Sequence, residues 1–155
     1  MGKGLKLKAQ DKDDLTIISA YLQDAITIVA DFNFNPTTRI FATMLNRYLW
    51  EEHKNSTNKD GKRSCQRIRT GFHFENIIRV SSYNFSHNDK QRVLELLVID
   101  TKVLENGNVA IDFIFAGDEV IRLEAELIEA SMQDIGKPYP AACHPKHKVL
   151  DNLTE

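Results

Sequence analysis

Shortages are the first information this chain offers. Its 155 residues include only two Cys, four Pro, seven Gly and one Trp. Cys65 and Cys143 stand far apart in the chain. They resemble neither the dense framework of a small secreted domain nor two close pairs of metal ligands, so reduced thiols are expected. The scarcity of Pro and Gly excludes a collagen-like or low-complexity disordered chain. Long apolar runs are missing too. Leu96-Leu97-Val98-Ile99 is among the longest, far below the roughly 20 residues of a membrane-spanning helix. The N-terminus, MGKGLKLK, interleaves charge with apolar residues where a signal peptide would carry an uninterrupted apolar core. A soluble, cytoplasmic protein is expected, and the sequons at Asn55, Asn84 and Asn152 then have no chemical consequence. Neither sign of charge dominates: 20 Lys and Arg face 22 Asp and Glu, a formal charge of −2. Attraction of the whole chain to polyanions is excluded. There is no Gly-rich phosphate loop, no G-x-S-x-G elbow and no zinc-protease helix motif, which disfavours nucleotide hydrolysis and the common hydrolase mechanisms.

What is present is enough apolar material for a core, 42% against 27% charged, in a chain whose length suits one domain over residues 1–155 with an ordered core at about 4–148. Leu5-Lys6-Leu7-Lys8 alternates as a short strand does. Asp11 can cap a helix whose first turn holds Asp13 and Asp14, with Leu15, Ile18 and Leu22 on one stripe, running to about residue 24. Alternation returns from Ile26 to Phe34, Asn35-Pro36-Thr37-Thr38 turns the chain, and residues 40–51 extend again as a hairpin partner. Residues 52–66 are too polar to order themselves by burial. Residues 67–83 read as one further strand. Residues 93–104, apolar on both faces, read as a central strand. Asn106-Gly107-Asn108 forms a tight turn to residues 109–115, and Ala116-Gly117-Asp118 leads to a strand over 119–123. Leu127, Ile128, Met132 and Ile135 fall at helical spacing, with Gly136 and Pro138 as stop signals, so a C-terminal helix is expected. The tail from Tyr139 reads as an extended strip. The expected class is α+β: an antiparallel meander or partial barrel of about seven strands between an N-terminal and a C-terminal helix, with a pleckstrin-homology-like barrel as one concrete version.

Several stretches are similar to an uncharacterised family of small alphaproteobacterial proteins, domain of unknown function 2948. They are Leu5-Lys6-Leu7-Lys8-Ala9-Gln10-Asp11, Leu45-Asn46-Arg47-Tyr48-Leu49-Trp50-Glu51, Arg69-Thr70-Gly71-Phe72-His73-Phe74, Leu94-Glu95-Leu96-Leu97, Phe115-Ala116-Gly117 with Ile121-Arg122-Leu123-Glu124, and Asp134-Ile135-Gly136. The resemblance spans roughly residues 4–148 and implies a bacterial cytoplasmic protein. It implies no activity and no site residue.

Candidate chemistry is thin. Cys143-His144-Pro145-Lys146-His147 offers a thiol and two imidazoles suited to Zn²⁺, but a structural site needs four ligands, and the others would have to come from scattered residues such as Cys65, His73 or His87. A solvated tail is the simpler reading, and neither metal nor cofactor is expected. A Cys143–His144 nucleophile lacks any surrounding signature. Carboxylate pairs such as Glu124 with Glu126, or Glu95 with Asp100, sit where surface elements ordinarily carry charge. These readings lean against an enzyme.

Charge is uneven along the chain. Residues 39–79 hold nine Lys and Arg against four carboxylates. Arg67, Arg69 and His73 share a strand face, Arg47 and Trp50 could lie on the neighbouring strand, and Lys62 sits in the loop between. Such a set could hold phosphates with an aromatic ring stacking on a base. The competing class is protein interaction, with Tyr48, Trp50 and Tyr83 as anchors where exposed, a free sheet edge for strand addition, or a homodimer. Headgroup binding would rest on fold analogy alone, and no membrane role is expected. The expected function is a non-catalytic cytoplasmic protein-interaction or self-association module, the alternative being anion or RNA binding through the basic 39–79 region.

Overall fold

A computed structural model describes residues 4–50 and 65–143. In chain order they form β1 (Lys6–Ala9), α1 (Lys12–Leu22), β2 (Ile26–Ile28), a 3-10 turn (Val29–Asp31), β3 (Phe32–Asn35), β4 (Ile40–Tyr48), β5 (Gln66–Phe74), β6 (Ile77–Tyr83), β7 (Val93–Val103), β8 (Val109–Phe115), β9 (Glu119–Ala125) and β10 (Ala130–Pro140). The helix begins as its sequence dictates. Asp11 caps it by accepting the Asp14 N–H at 2.8 Å, and Leu15, Ile18 and Leu22 are its buried stripe. Among the described residues, no helix is long and apolar enough to cross a membrane.

The ten strands join in one antiparallel sheet in the order β1-β10-β5-β4-β2-β7-β8-β9-β6, with β3 paired to β4 alongside. The sheet folds back on itself around phenylalanines. Phe113 of β8 lies 6.1 Å from Phe41 of β4, and 5.9 and 5.7 Å from Phe72 and Phe74 of β5, ring centre to ring centre. These strands are not neighbours in the sheet order, so the inner faces of its two halves meet there. Helix α1 packs against β7, β1 and β4.

The α+β expectation of two helices and about seven strands is overturned. The segment expected as a C-terminal helix is β10, and without a closing helix the pleckstrin-homology-like version is excluded. Inward residues of β10 are Ala130, Met132 and Asp134, a period of two. Leu127 and Ile128, which lent the stretch its helical spacing, lie before the strand begins. Gly136, at φ 78°, does not cap a helix; it lies within the shift of register between Ile135 and Tyr139. Partners on both sides, β1 and β5, satisfy the backbone of β10 as a strand, and that tertiary pairing overrides local preference.

Other boundaries moved for local reasons. Residues 26–34 are two strands broken by the 3-10 turn, and residues 67–83 are broken at Asn76, whose φ is 63°. The expectation of reduced thiols is also corrected. Cys65 and Cys143 are bonded, their Cα atoms 5.2 Å apart, within the span a disulfide requires. Antiparallel pairing of β5 with β10 places them there, and the Ala141 N–H donates to the Cys65 carbonyl at 2.9 Å beside the bond. Distance along the chain carries no information about this proximity.

Candidate functional site

Of the six residues expected to bind an anion, Lys62 lies outside the described residues. The other five do not converge. Arg47 projects from the inner face of β4 and is completely buried. Arg67, on β5, is buried as well. Its Nη1 donates to the carbonyls of Asp24 at 3.1 Å and Asn46 at 2.9 Å, and its guanidinium lies 5.5 Å from the centre of the Tyr48 ring. Burial draws the Arg67 guanidinium below its ordinary value, while Tyr139, Asp24 and Glu95 push it back up; it stays cationic throughout the working range of pH. Trp50 is half-buried and donates from Nε1 to the Gln23 carbonyl at 3.0 Å. Only Arg69 and His73 are exposed, both on the outer face of β5.

Arg47 is committed to Asp134 of β10. Nε donates to Oδ1 at 2.8 Å and Nη2 to Oδ2 at 2.7 Å, a bidentate pair. The same carboxylate accepts the Thr70 hydroxyl at 2.9 Å and the Leu5 N–H at 3.0 Å, and the Tyr21 ring of α1 lies 5.7 Å from the guanidinium. Burial alone would raise the Asp134 carboxyl, but the bonds from Arg47, Thr70 and Leu5 outweigh it and hold the group below its ordinary value. One ion pair thus gathers β1, β4, β5, β10 and α1. This is the chemistry of a fastening.

The Cys143–His147 cluster cannot act as first read, because the Cys143 thiol is consumed in the disulfide; His144, Lys146 and His147 lie outside the described residues. Among the described residues, no group of three or more His, Cys, Asp or Glu could hold a metal ion.

Two outward faces remain. Across β1, β10 and β5 the register aligns Lys8 with Ser131 and His73, and Lys6 with Gln133 and Gly71. These two rows carry cations and no carboxylate, and Arg69 lies two residues farther along β5. On the other half of the sheet, Val98 of β7 faces Ile114 of β8, Ile114 faces Val120 of β9, and Val120 faces Tyr83 of β6. All four point away from the core, with Val98 42% and Tyr83 47% exposed. A bulge between Leu96 and Val98 adds Leu97, also exposed, to this apolar row. The next row aligns Asp100, Asp112, Arg122 and Ser81, and Arg122 grips Asp112 at 2.7 and 2.9 Å. The row after it holds Lys102, Ala110, Glu124 and Arg79, with Arg79 and Glu124 3.2 Å apart.

Of the three aromatic anchors expected for an interface, Tyr48 is core, Trp50 is half-buried and Tyr83 is exposed. Of this row the sequence singled out Tyr83 alone: residues 93–104 read as apolar on both faces, and Ile114 and Val120 are assigned to no face. Apolar residues at both parities of β7, β8 and β9 were the signal, and it does not say which face is covered.

The family described as Protein of unknown function (DUF2948) matches residues 5–147 of the chain. No curated protein and no solved structure matches it.

Proposed function

Because the chain belongs to the family described as Protein of unknown function (DUF2948), geometry has to supply the function, and we propose a non-catalytic module that self-associates through the outer face of β6, β9, β8 and β7. The observation that carries this reading is the row Val98–Ile114–Val120–Tyr83, apolar side chains aligned on four adjacent strands, exposed at its two ends and half-buried between, with no described element packed over it. Contiguous exposed apolar surface of this kind marks interaction sites. A second copy suits it better than a foreign partner. The two rows behind it hold three carboxylates, Asp100, Asp112 and Glu124, and three cations, Lys102, Arg79 and Arg122. Two of the carboxylates are already paired within the chain. A face of no net charge can lie on its own copy about a two-fold axis without repulsion. With strands about 4.8 Å apart the row spans roughly 14 Å, so the interface is small and its dimer weak and concentration-dependent.

Sedimentation velocity from about 5 to 500 µM tests this. The mass should rise from 17.7 kDa toward twice that value, and V98K or V120K, on the exposed face, should keep it at the monomer. A constant monomer mass over the whole range removes the proposal.

A second reading is favoured by the cationic rows of Lys6, Lys8, Arg69 and His73, which would hold phosphates of RNA or another polyanion. An anisotropy titration of RNA oligomers at about 50 mM salt, with K8E and R69E as controls, tests it. The cytoplasmic location belongs to the same proposal. It requires that Cys65 and Cys143 be reduced in the cell despite the bond seen here. Alkylation of thiols at lysis, followed by mass measurement, decides that point.

A further inference from the structure

Strand β3 has a partner only in β4, and β6 only in β9, among the described residues. Between these two one-sided strands lies a cavity of about 310 Å³. Its floor is core, formed by Phe41 and Ile121, and Phe32, Phe34 and Phe85 wall it with half-exposed rings. Phe32 stacks on Phe41 at 5.9 Å and meets Phe115 edge-on at 6.2 Å, so the aromatic wall is held in place from behind. The rim is different in kind. Ser82 and Asn33 supply polar groups, and His87 and Lys90 bring the exposed basic side chains. Two carboxylates near this loop are directed elsewhere: Arg92 holds Glu119 at 2.6 Å and draws Asp89 to 3.8 Å.

We infer that this cavity is a binding site for a small aromatic monocarboxylate, its ring among Phe32, Phe34 and Phe85 and its carboxylate at Lys90 and His87. An apolar pocket with few polar groups gathered at one side is the usual form of a small-molecule site. The volume corresponds to roughly ten waters, which suits a single ring with a short acidic arm and excludes a full-length fatty acid. The aromatic wall favours a ring, through offset and edge-to-face contacts, over a branched aliphatic body. Lys90 and His87 make the acid preferable to its neutral or cationic analogues. The site is independent of the self-association face, because Val80 and Ser82 line the cavity on β6 whereas Ser81 and Tyr83 face outward on the same strand.

The probe is 3-phenylpropionate, titrated into the full chain and followed by amide and aromatic-ring resonances. Shifts should concentrate at Phe32, Phe34, Ser82, Phe85 and Lys90, saturating with a Kd of about 0.1–1 mM. The neutral amide, 3-phenylpropanamide, should bind about three- to fivefold more weakly. S82W, which fills the mouth, should abolish the shifts. K90E, on an exposed loop where folding is not at stake, should reverse the preference so that 3-phenylpropan-1-amine binds better than the acid. The inference is overturned by an absence of saturable shifts at these residues up to about 10 mM, by equal affinity for acid and amide, or by an unchanged preference in K90E.

Discussion

Arg47 and Asp134 meet through two parallel hydrogen bonds of 2.8 and 2.7 Å in a place water does not reach, although 87 residues separate them in the chain. The pair joins the two strands that flank β5 and is braced by the Thr70 hydroxyl and the Leu5 amide. Its geometry explains why one of the cations expected to hold an anion does not face a ligand: Arg47 is buried and directed inward to Asp134.

Breaking one side of this pair should cost more than removing both. R47M or D134L alone removes one side of a buried, hydrogen-bonded charge pair and is expected to lower unfolding free energy by about 3–5 kcal/mol, whereas the R47M/D134L double variant recovers a large part of the loss. Urea titrations of the three variants measure this. A double variant as unstable as the sum of the singles would mean no coupling between the two side chains and would sink this account.

Acid should loosen the same fastening. The folded-state value of Asp134 is lowered from an ordinary 3.8, with burial opposing and Arg47, Thr70 and Leu5 prevailing. A group depressed by folding contributes stability that is complete above its unfolded value and vanishes as pH falls through the folded one. Stability should therefore decline from about pH 4 downward, and D134N should flatten that part of the profile. Unfolding midpoints between pH 6 and pH 2.5 are the measurement. An equally steep acid limb in D134N would assign the dependence to other carboxylates, such as Glu119 beside Arg92.

The Cys65–Cys143 bond closes a long loop, with a sequence separation of 78. Constraining that much unfolded chain is worth about 4.5 kcal/mol in the chain-entropy account, and measured values are commonly about 2–4 kcal/mol. Reduction, or the C65A/C143A variant, should lower stability by that amount. A thiol assay on denatured, unreduced protein should find no free thiol. Two free thiols there would show the bond is not formed.

Two threonines should respond in opposite directions. Thr43 is buried on the inner face of β4 and its hydroxyl has no hydrogen-bond partner among the described residues. T43V keeps the branched shape and removes an unsatisfied polar group, for an expected gain of about 1 kcal/mol. The Thr70 hydroxyl donates to Asp134, so T70V should lose a charge-assisted bond and about 1.5–3 kcal/mol. Thermal unfolding of both variants under one condition gives the comparison, and shifts of the same sign would contradict it.

Legibility in the sequence followed the range of the interactions. Asp11 and the Leu15, Ile18 and Leu22 stripe marked α1 because capping and helical periodicity act within a few residues. Asn106-Gly107-Asn108 marked the β7–β8 turn for the same reason, with Gly107 at φ 87°. β10 was misread because its spacing fits a helix locally, while what makes it a strand is pairing with β1 and β5, both remote in the chain. Tyr83 was recognised as an anchor on chemistry alone. Its partners in the row, Val98, Ile114 and Val120, look like core residues until the folded sheet shows which face is left uncovered.

By itself the sequence determined the alternation of apolar and polar residues, and hence that most of the chain would pleat into antiparallel strands. It also determined where the chain could turn and where its one described helix would start, because each of these is settled by neighbours a few bonds away. Only the tertiary structure decided that Arg47 turns inward to Asp134, that Cys65 meets Cys143, and that one apolar row stays on the surface. Those outcomes depend on which strands become neighbours, a choice made by burying the Phe41, Phe72, Phe74 and Phe113 rings together across the whole chain.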